Sequence, residues 1–118
     1  MQALLTPRPL SGTVAAISSK SHVHRLLLAA AVADRPTLVR CRGISADMEA
    51  TARCLPALGA SARRTAAGYL VTPGASHAAA ADCGESGTTF RLLLPMACTA
   101  GRTTACHLGG RLPRRPLS

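Results

Sequence analysis

An α/β fold is predicted by three features of the sequence. Short apolar runs of strand length alternate with segments of helical period. Ser, Gly and Pro punctuate the joins between them. The resulting order over residues 12–72 reads β-α-β-α-β-β, and a second unit opens near residue 83 with one helix and one strand before residue 118. A chain of 118 residues is enough for one small domain or a piece of a larger one. Apolar residues make up 47%, but many are alanine, with no Trp, one Phe and one Tyr, so core-filling side chains are few and modest stability is expected.

The elements follow in order. Residues 12–17 (GTVAAI) read as a strand after the loop PRPLS. Ser19 or Ser21 then caps a helix, whose Val23, Leu26, Leu27 and Ala30 fall on one face. Asp34-Arg35-Pro36 stops it, and Thr37–Cys41 is a strand of buried type. Ser45 opens a second helix with Asp47 and Glu49 in the first turn, where carboxylates suit the positive dipole end. Met48, Ala52 and Leu55 form its apolar stripe; Pro56 disturbs the last turn and Gly59 caps it. Ser61–Arg64 and Tyr69–Thr72 pair through Ala66-Ala67-Gly68. Residues 75–83 read as an irregular alanine-rich link. A third helix runs from about Gly87 to Thr99, a strand covers Thr103–Leu108, and an Arg/Pro-rich loop follows.

The formal charge is +9, with five acids against 14 basic side chains, and Lys20 is the only lysine. This balance suits anionic partners, either nucleic acid or small phosphorylated and carboxylated molecules. Aromatic residues at 2% leave almost no stacking platform for single strands. Five irregularly spaced cysteines and no signal-peptide pattern favour reduced thiols in a cytosolic protein. The spacing of Cys83, Cys98, Cys106 and His107 matches no tight zinc pattern. His22 and His24 lie on different faces of the first helix and suit capping or packing. The apolar runs are too short to cross a bilayer.

Three loops carry the chemistry. In 18-SSKSHVHR-25, Ser21 and Arg25 share a helix face beside the Lys20 ammonium, where free backbone N–H groups point outward. Together they form a holder for a phosphate or carboxylate, or an ordinary Ser cap with solvated cations. In 84-GESGTTFR-91, Gly87 lets a ligand approach the backbone closely, or serves a plain glycine turn; the stretch is not a P-loop. In 109-GGRLPRRPLS-118, three arginines invite anions or form a solvated tail.

Taken together the three loops resemble the EPSP synthase (3-phosphoshikimate 1-carboxyvinyltransferase) family. Its opening phrase, a strand S-G-x-V followed by S-K-S-x-x-H-R and an apolar helix, is matched by 11-SGTVAAISSKSHVHRLLLAAAVAD-34. Its glycine phrase G-x-[SA]-G-T-x-x-R is matched by 84-GESGTTFRLLLPMA-97, and G-x-x-R-[LM]-x-x-R-P-[IL] by 108-LGGRLPRRPLS-118. Residues 50–60, ATARCLPALGA, fit the helix and strand entry between them. Lys20-Ser21 with His24-Arg25 argues against the sister family acting on UDP-N-acetylglucosamine, which has a lysine-asparagine pair in the first loop.

The resemblance implies a part of an inside-out α/β barrel domain, with 12–72 as its first unit and 83–118 as an incomplete second. It implies that the 5-hydroxyl of shikimate 3-phosphate adds to phosphoenolpyruvate and phosphate is eliminated, a step of aromatic amino acid biosynthesis in the cytoplasm. Lys20 would meet both substrates, Ser21 and Arg25 shikimate 3-phosphate, and Gly87 and Arg115 phosphoenolpyruvate. No cofactor, metal, membrane or nucleic acid is implied. The family chain is several times longer, with two domains of three units each and a cleft between them. The carboxylates for proton transfer, further arginines and the serine-rich phosphate loop have no counterpart here. The remainder of the enzyme is therefore needed, and the isolated 118-residue chain is expected to be inactive. The rival readings are a small basic nucleic-acid-binding module, told apart by steep salt dependence, and an inactive truncated remnant.

Overall fold

The computed structural model describes residues 2–74, 77–101 and 103–116. Ala75-Ser76 of the expected link and Leu117-Ser118 of the third phrase lie outside the described residues. The elements are α1 (Lys20–Ala31), β1 (Thr37–Arg40), α2 (Ala46–Cys54), a 3-10 turn (Leu55–Leu58), β2 (Ala60–Thr65), β3 (Gly68–Pro73), β4 (Ala80–Gly84), α3 (Gly87–Thr99), β5 (Ala105–Leu108) and a second 3-10 turn (Leu112–Arg114). The mixed α/β class expected from the sequence is what forms.

β1, β3 and β2 make an antiparallel sheet with β3 in the centre, so that Val71 pairs with both Thr37 and Ala62. β4 and β5 pair in parallel, Ala80 against Ala105, and α3 connects them as a β-α-β crossover. Leu27, Met48, Leu55, Val71, Leu93 and Leu112 are fully buried and join the helices to the sheet. The stripe Met48, Ala52 and Leu55 is buried as expected. Pro56 is accommodated because the helix tightens to 3-10 there, and Gly59 ends the turn in the left-handed region at φ 80°.

Five expectations need correction. β1 is not a strand of buried type: only Val39 is buried, and Leu38 is 41% exposed. Residues 12–17 form no strand: Val14 is 91% exposed and Ile17 74%, and no described strand pairs with them. The β-branched Thr13, Val14 and Ile17 give propensity, but a strand exists only where its backbone groups find a partner. On α1, Leu26 sits at the edge of the apolar face, 38% exposed. The buried stripe is rotated toward Val23, His24, Leu27, Leu28 and Ala31. The link 75–83 is in part the strand β4. Its alternation, Ala81 and Cys83 inward with Ala80 and Asp82 outward, was hidden by alanine, a poor strand former. The last strand starts at Ala105, two residues later than expected.

Candidate functional site: three helix N-termini at one end

Each helix is capped by a serine whose hydroxyl accepts a backbone N–H of the first turn. Ser19 accepts from His22 in α1, Ser45 from Met48 in α2, and Ser86 from Thr89 in α3. Ser19 is thus the α1 cap, and Ser21 lies within the helix.

The α1 and α2 N-termini touch through two rungs one helical turn apart. Lys20 and His24 are four residues apart on α1; Asp47 and Thr51 are four apart on α2. In the outer rung Lys20 Nζ donates to Asp47 Oδ2 at 2.6 Å, with the two side chains 50% and 34% exposed. In the inner rung His24 Nδ1 and Thr51 Oγ1 are 2.6 Å apart and fully buried. The Thr51 hydroxyl is 2.7 Å from Thr89 Oγ1, which lies 2.8 Å from Ser86 Oγ and 3.4 Å from the Asp47 carbonyl. All three helix N-termini are therefore bound at one end of the molecule.

The third loop lies against the second. Gly109 N–H donates to the Gly84 carbonyl at 2.7 Å, and Arg91 Nη2 donates to the Pro116 carbonyl at 2.8 Å. Gly87 is buried: a methyl group built on it meets Leu112 Cδ1 at 3.3 Å and Arg91 Nη1 at 3.4 Å. Arg115 N–H donates to the Leu112 carbonyl, and its residue is exposed. A path of contacts thus runs from Lys20 through Asp47, Thr89 and Ser86 to Gly87, Leu112 and Arg115. Ser21 and Arg25 are exposed on α1, with the Arg25 guanidinium turned back onto the Ser21 carbonyl at 3.0 Å.

The first loop is fixed from behind. Ser18 N–H donates to the Arg42 carbonyl at 2.9 Å, and Ser18 Oγ accepts from Arg42 N–H at 2.8 Å. Beside it an open cavity of about 870 Å³ is lined by Ser18, Arg40, Arg42, Arg64 and the β2–β3 turn. Arg64 is paired with Glu49 at 2.7 Å.

Burial pulls the His24 pKa below its ordinary value; Asp47 opposes this, while Lys20 and Arg25 add to it. The ring is neutral at neutral pH. Burial likewise pushes the Cys54 thiol up to about 12, helped by the neighbouring Cys83. These cysteines are inert thiols of the core. Among the described residues no cluster of His, Cys, Asp or Glu is arranged to hold a metal ion, and no helix is long and apolar enough to cross a membrane.

The sequence missed the partners of its own site. Asp47 was legible as a first-turn carboxylate, and His24 as a packing residue, but neither as the neighbour of Lys20 or Thr89. The available signal was the matched spacing of four in Lys20/His24 and Asp47/Thr51.

Residues 4–118 match the model of the EPSP synthase (3-phosphoshikimate 1-carboxyvinyltransferase) family. A 3-phosphoshikimate 1-carboxyvinyltransferase of Halobacterium salinarum is 41% identical over 120 residues, covering 98% of this chain and 28% of the relative. Relatives of the same name from Methanosphaerula palustris and Prochlorococcus marinus are 36% and 37% identical, over 98% and 92% of this chain and 29% and 26% of theirs. The chain thus spans less than a third of the length of these relatives. On a match that runs through all three loops, the chain belongs to the EPSP synthase family.

Proposed function

We propose that this chain supplies part of the substrate cleft for transfer of the enolpyruvyl group of phosphoenolpyruvate to the 5-hydroxyl of shikimate 3-phosphate, with release of phosphate. The observation that carries the reading is the meeting of three helix N-termini beside the only lysine. Free N–H groups and the positive dipole ends favour anions there, and both substrates are anions. Lys20 serves both. Its ammonium presents three donors on a flexible stem, so it can pair with Asp47 and turn to two ligands. Ser21 and Arg25, exposed on the same helix face, take shikimate 3-phosphate. Gly87 and Arg115 take phosphoenolpyruvate.

In this reading residues 12–72 are the first unit, formed as α1-β1-α2-β2-β3 with no strand at 12–17, and 83–118 belong to a second, opened by β4 from Ala80, within an inside-out α/β barrel domain. The groups that move protons and those that grip the rest of each substrate belong to the remainder of the enzyme. Substrate geometry must be held from both sides for the reaction to proceed. The protein works in the cytoplasm and needs no cofactor.

The test joins residues 1–118 to the remainder of a complete family member and measures phosphate release from phosphoenolpyruvate. Release that depends on shikimate 3-phosphate is the expected result. A folded chimera without such release, together with steep salt-dependent DNA binding by residues 1–118, would overturn the proposal in favour of a nucleic-acid module.

A further inference from the structure

The third loop lies along the start of α3 in a fixed register. Gly109 N–H donates to the Gly84 carbonyl at 2.7 Å. A carbon added to Gly110 would run into the Glu85 carboxylate, and one added to Gly87 would lie 3.3 Å from Leu112 Cδ1. Arg91 Nη2 donates to the Pro116 carbonyl at 2.8 Å. Each of these pairs is separated by the same 25 residues of chain. The two segments therefore run side by side, and Arg115 comes to lie between the Leu112 and Pro116 contacts.

These contacts differ in kind. Those of Gly109, Gly110 and the fully buried Leu112 fix the loop by backbone approach and packing. After Leu112 packing ends: Pro113, Arg114, Arg115 and Pro116 are all exposed. Among the described residues, the side-chain hydrogen bond from Arg91 is the only one that reaches this stretch. Arg91 is suited to the task. It lies four residues after Gly87 on α3, and helical side chains lean toward the N-terminus, so its stem reaches back over Gly87. Its Nη1 lies 3.4 Å from a carbon added there. Among the described residues it has no carboxylate partner. One planar fork thus covers Gly87 with one nitrogen and ties the Pro116 carbonyl with the other, and a charged donor makes the stronger kind of bond.

We infer that Arg91 is a positioning residue: by holding the Pro116 carbonyl against α3 it fixes the backbone of Arg115, so that the Arg115 guanidinium meets the anion bound at the Gly87 turn. This rests on the reading of Gly87 and Arg115 as the phosphoenolpyruvate site. Arg115 is bracketed by two anchors. Its own N–H donates to the carbonyl of the buried Leu112 at 3.1 Å, and the carbonyl of the next residue is held by Arg91. Without Arg91 the second anchor is lost. Residues 113–116 then sample many conformations, and the ligand must order them as it binds. The contribution of Arg91 passes through Arg115, so it vanishes when the Arg115 side chain is absent.

The test uses a complete family member carrying residues 1–118. It compares wild type, Arg91→Ala, Arg91→Lys, Arg115→Ala and the double variant Arg91→Ala/Arg115→Ala by steady-state kinetics and peptide-level hydrogen exchange. We expect Arg91→Ala to raise KM for phosphoenolpyruvate roughly tenfold, with kcat and KM for shikimate 3-phosphate within about twofold of wild type. Arg91→Lys, which keeps the charge and one donor, should fall between wild type and Arg91→Ala. Arg115→Ala should raise the same KM at least as much, and the double variant should match Arg115→Ala within about twofold. Exchange in Arg91→Ala should quicken over residues 109–116 and stay unchanged in α1 and the β1-β3-β2 sheet. An unchanged KM in Arg91→Ala, a kcat that falls in its place, or an Arg91→Lys no better than Arg91→Ala overturns the inference. So does faster exchange spread through α1 and the sheet. Losses that multiply in the double variant overturn it too, since they mark an Arg91 that grips the ligand itself. An unchanged KM in Arg115→Ala overturns the ligand reading of Arg115, and the inference with it.

Discussion

Lys20→Arg separates the ion pair of the lone lysine from the substrate contacts proposed for it. Lys20 Nζ is 2.6 Å from Asp47 Oδ2, with half of the lysine side chain in solvent. An exposed pair of this kind is worth about 0.2–1 kcal/mol, and arginine can form it as well, so the fold should lose no more than about 0.5 kcal/mol. Activity should behave otherwise. The guanidinium would grip Asp47 with two parallel N–H groups, and its broad plane would enter a space meant for two ligands. We expect kcat/KM to fall at least roughly tenfold, or about 1.4 kcal/mol of transition-state stabilisation. Arg35→Lys is the control: that arginine pairs with its neighbour Asp34 at 3.0 Å, and both are about four-fifths exposed, 78% and 80%. Its variant should match wild type. Both are placed in a complete family member carrying residues 1–118, with thermal melts beside steady-state kinetics at saturating and limiting substrate. Wild-type kinetics for Lys20→Arg would make the single lysine an accident of an arginine-rich composition, and the account of the first loop would fail.

Two further outcomes concern the fold. Gly68→Ala should destabilise the chain by about 2–4 kcal/mol, because φ is +139° and the added carbon runs into the Val39 carbonyl oxygen and lies 2.8 Å from Cys41 N; a melting temperature equal to wild type would contradict this. Stability should also peak between two pH limbs. Because the folded His24 pKa lies below its ordinary value of 6.5, the unfolded chain binds more protons beneath that pH, so stability is full above 6.5 and lost as pH falls toward the folded value. His24→Gln should flatten that limb. On the alkaline side Cys54 is raised from 9.0 to about 12, so the unfolded chain loses its proton first and stability declines as pH rises above 9. Denaturant midpoints from pH 5 to 10 read both limbs, and a flat acid limb in the wild type would remove His24 as its source.

What the sequence made legible was local. Ser45 and Gly59 bracket α2 and its 3-10 extension because caps act within one turn. The helix expected from about Gly87 to Thr99 forms as α3 over Gly87–Thr99, capped by Ser86. What failed was pairing. GTVAAI has strand composition, but no described strand lies beside it; AADC has poor composition, but β5 does lie beside it in parallel. Partner availability decides both, and a partner dozens of residues away leaves no mark in the local pattern. The candidate site divides in the same way. Lys20, Ser21, Arg25, Gly87 and Arg115 were named from motifs, while Asp47, Thr51 and Thr89 were not. Their importance comes from meeting across 27 to 42 residues of chain.

On the proposed reading a carboxylate beside an anion site needs a reason, and the two rungs give one. Asp47 lies in the first turn of α2, where the helix dipole stabilises negative charge whether or not Lys20 is near. It can therefore release the lysine without becoming an isolated buried charge, since 34% of its side chain stays in solvent. The pair is worth at most about 1 kcal/mol, whereas hydrogen bonds from an ammonium to a charged ligand contribute about 1.5–3 kcal/mol. The ligand wins the exchange. Until then Asp47 holds the flexible four-carbon stem in one place, which lowers the entropy lost when the phosphate arrives. Beneath it the His24–Thr51 rung, fully buried, keeps α1 and α2 in register whatever Lys20 is doing. The outer rung is weak so that it can be exchanged, and the inner one is buried so that the exchange does not move the helices.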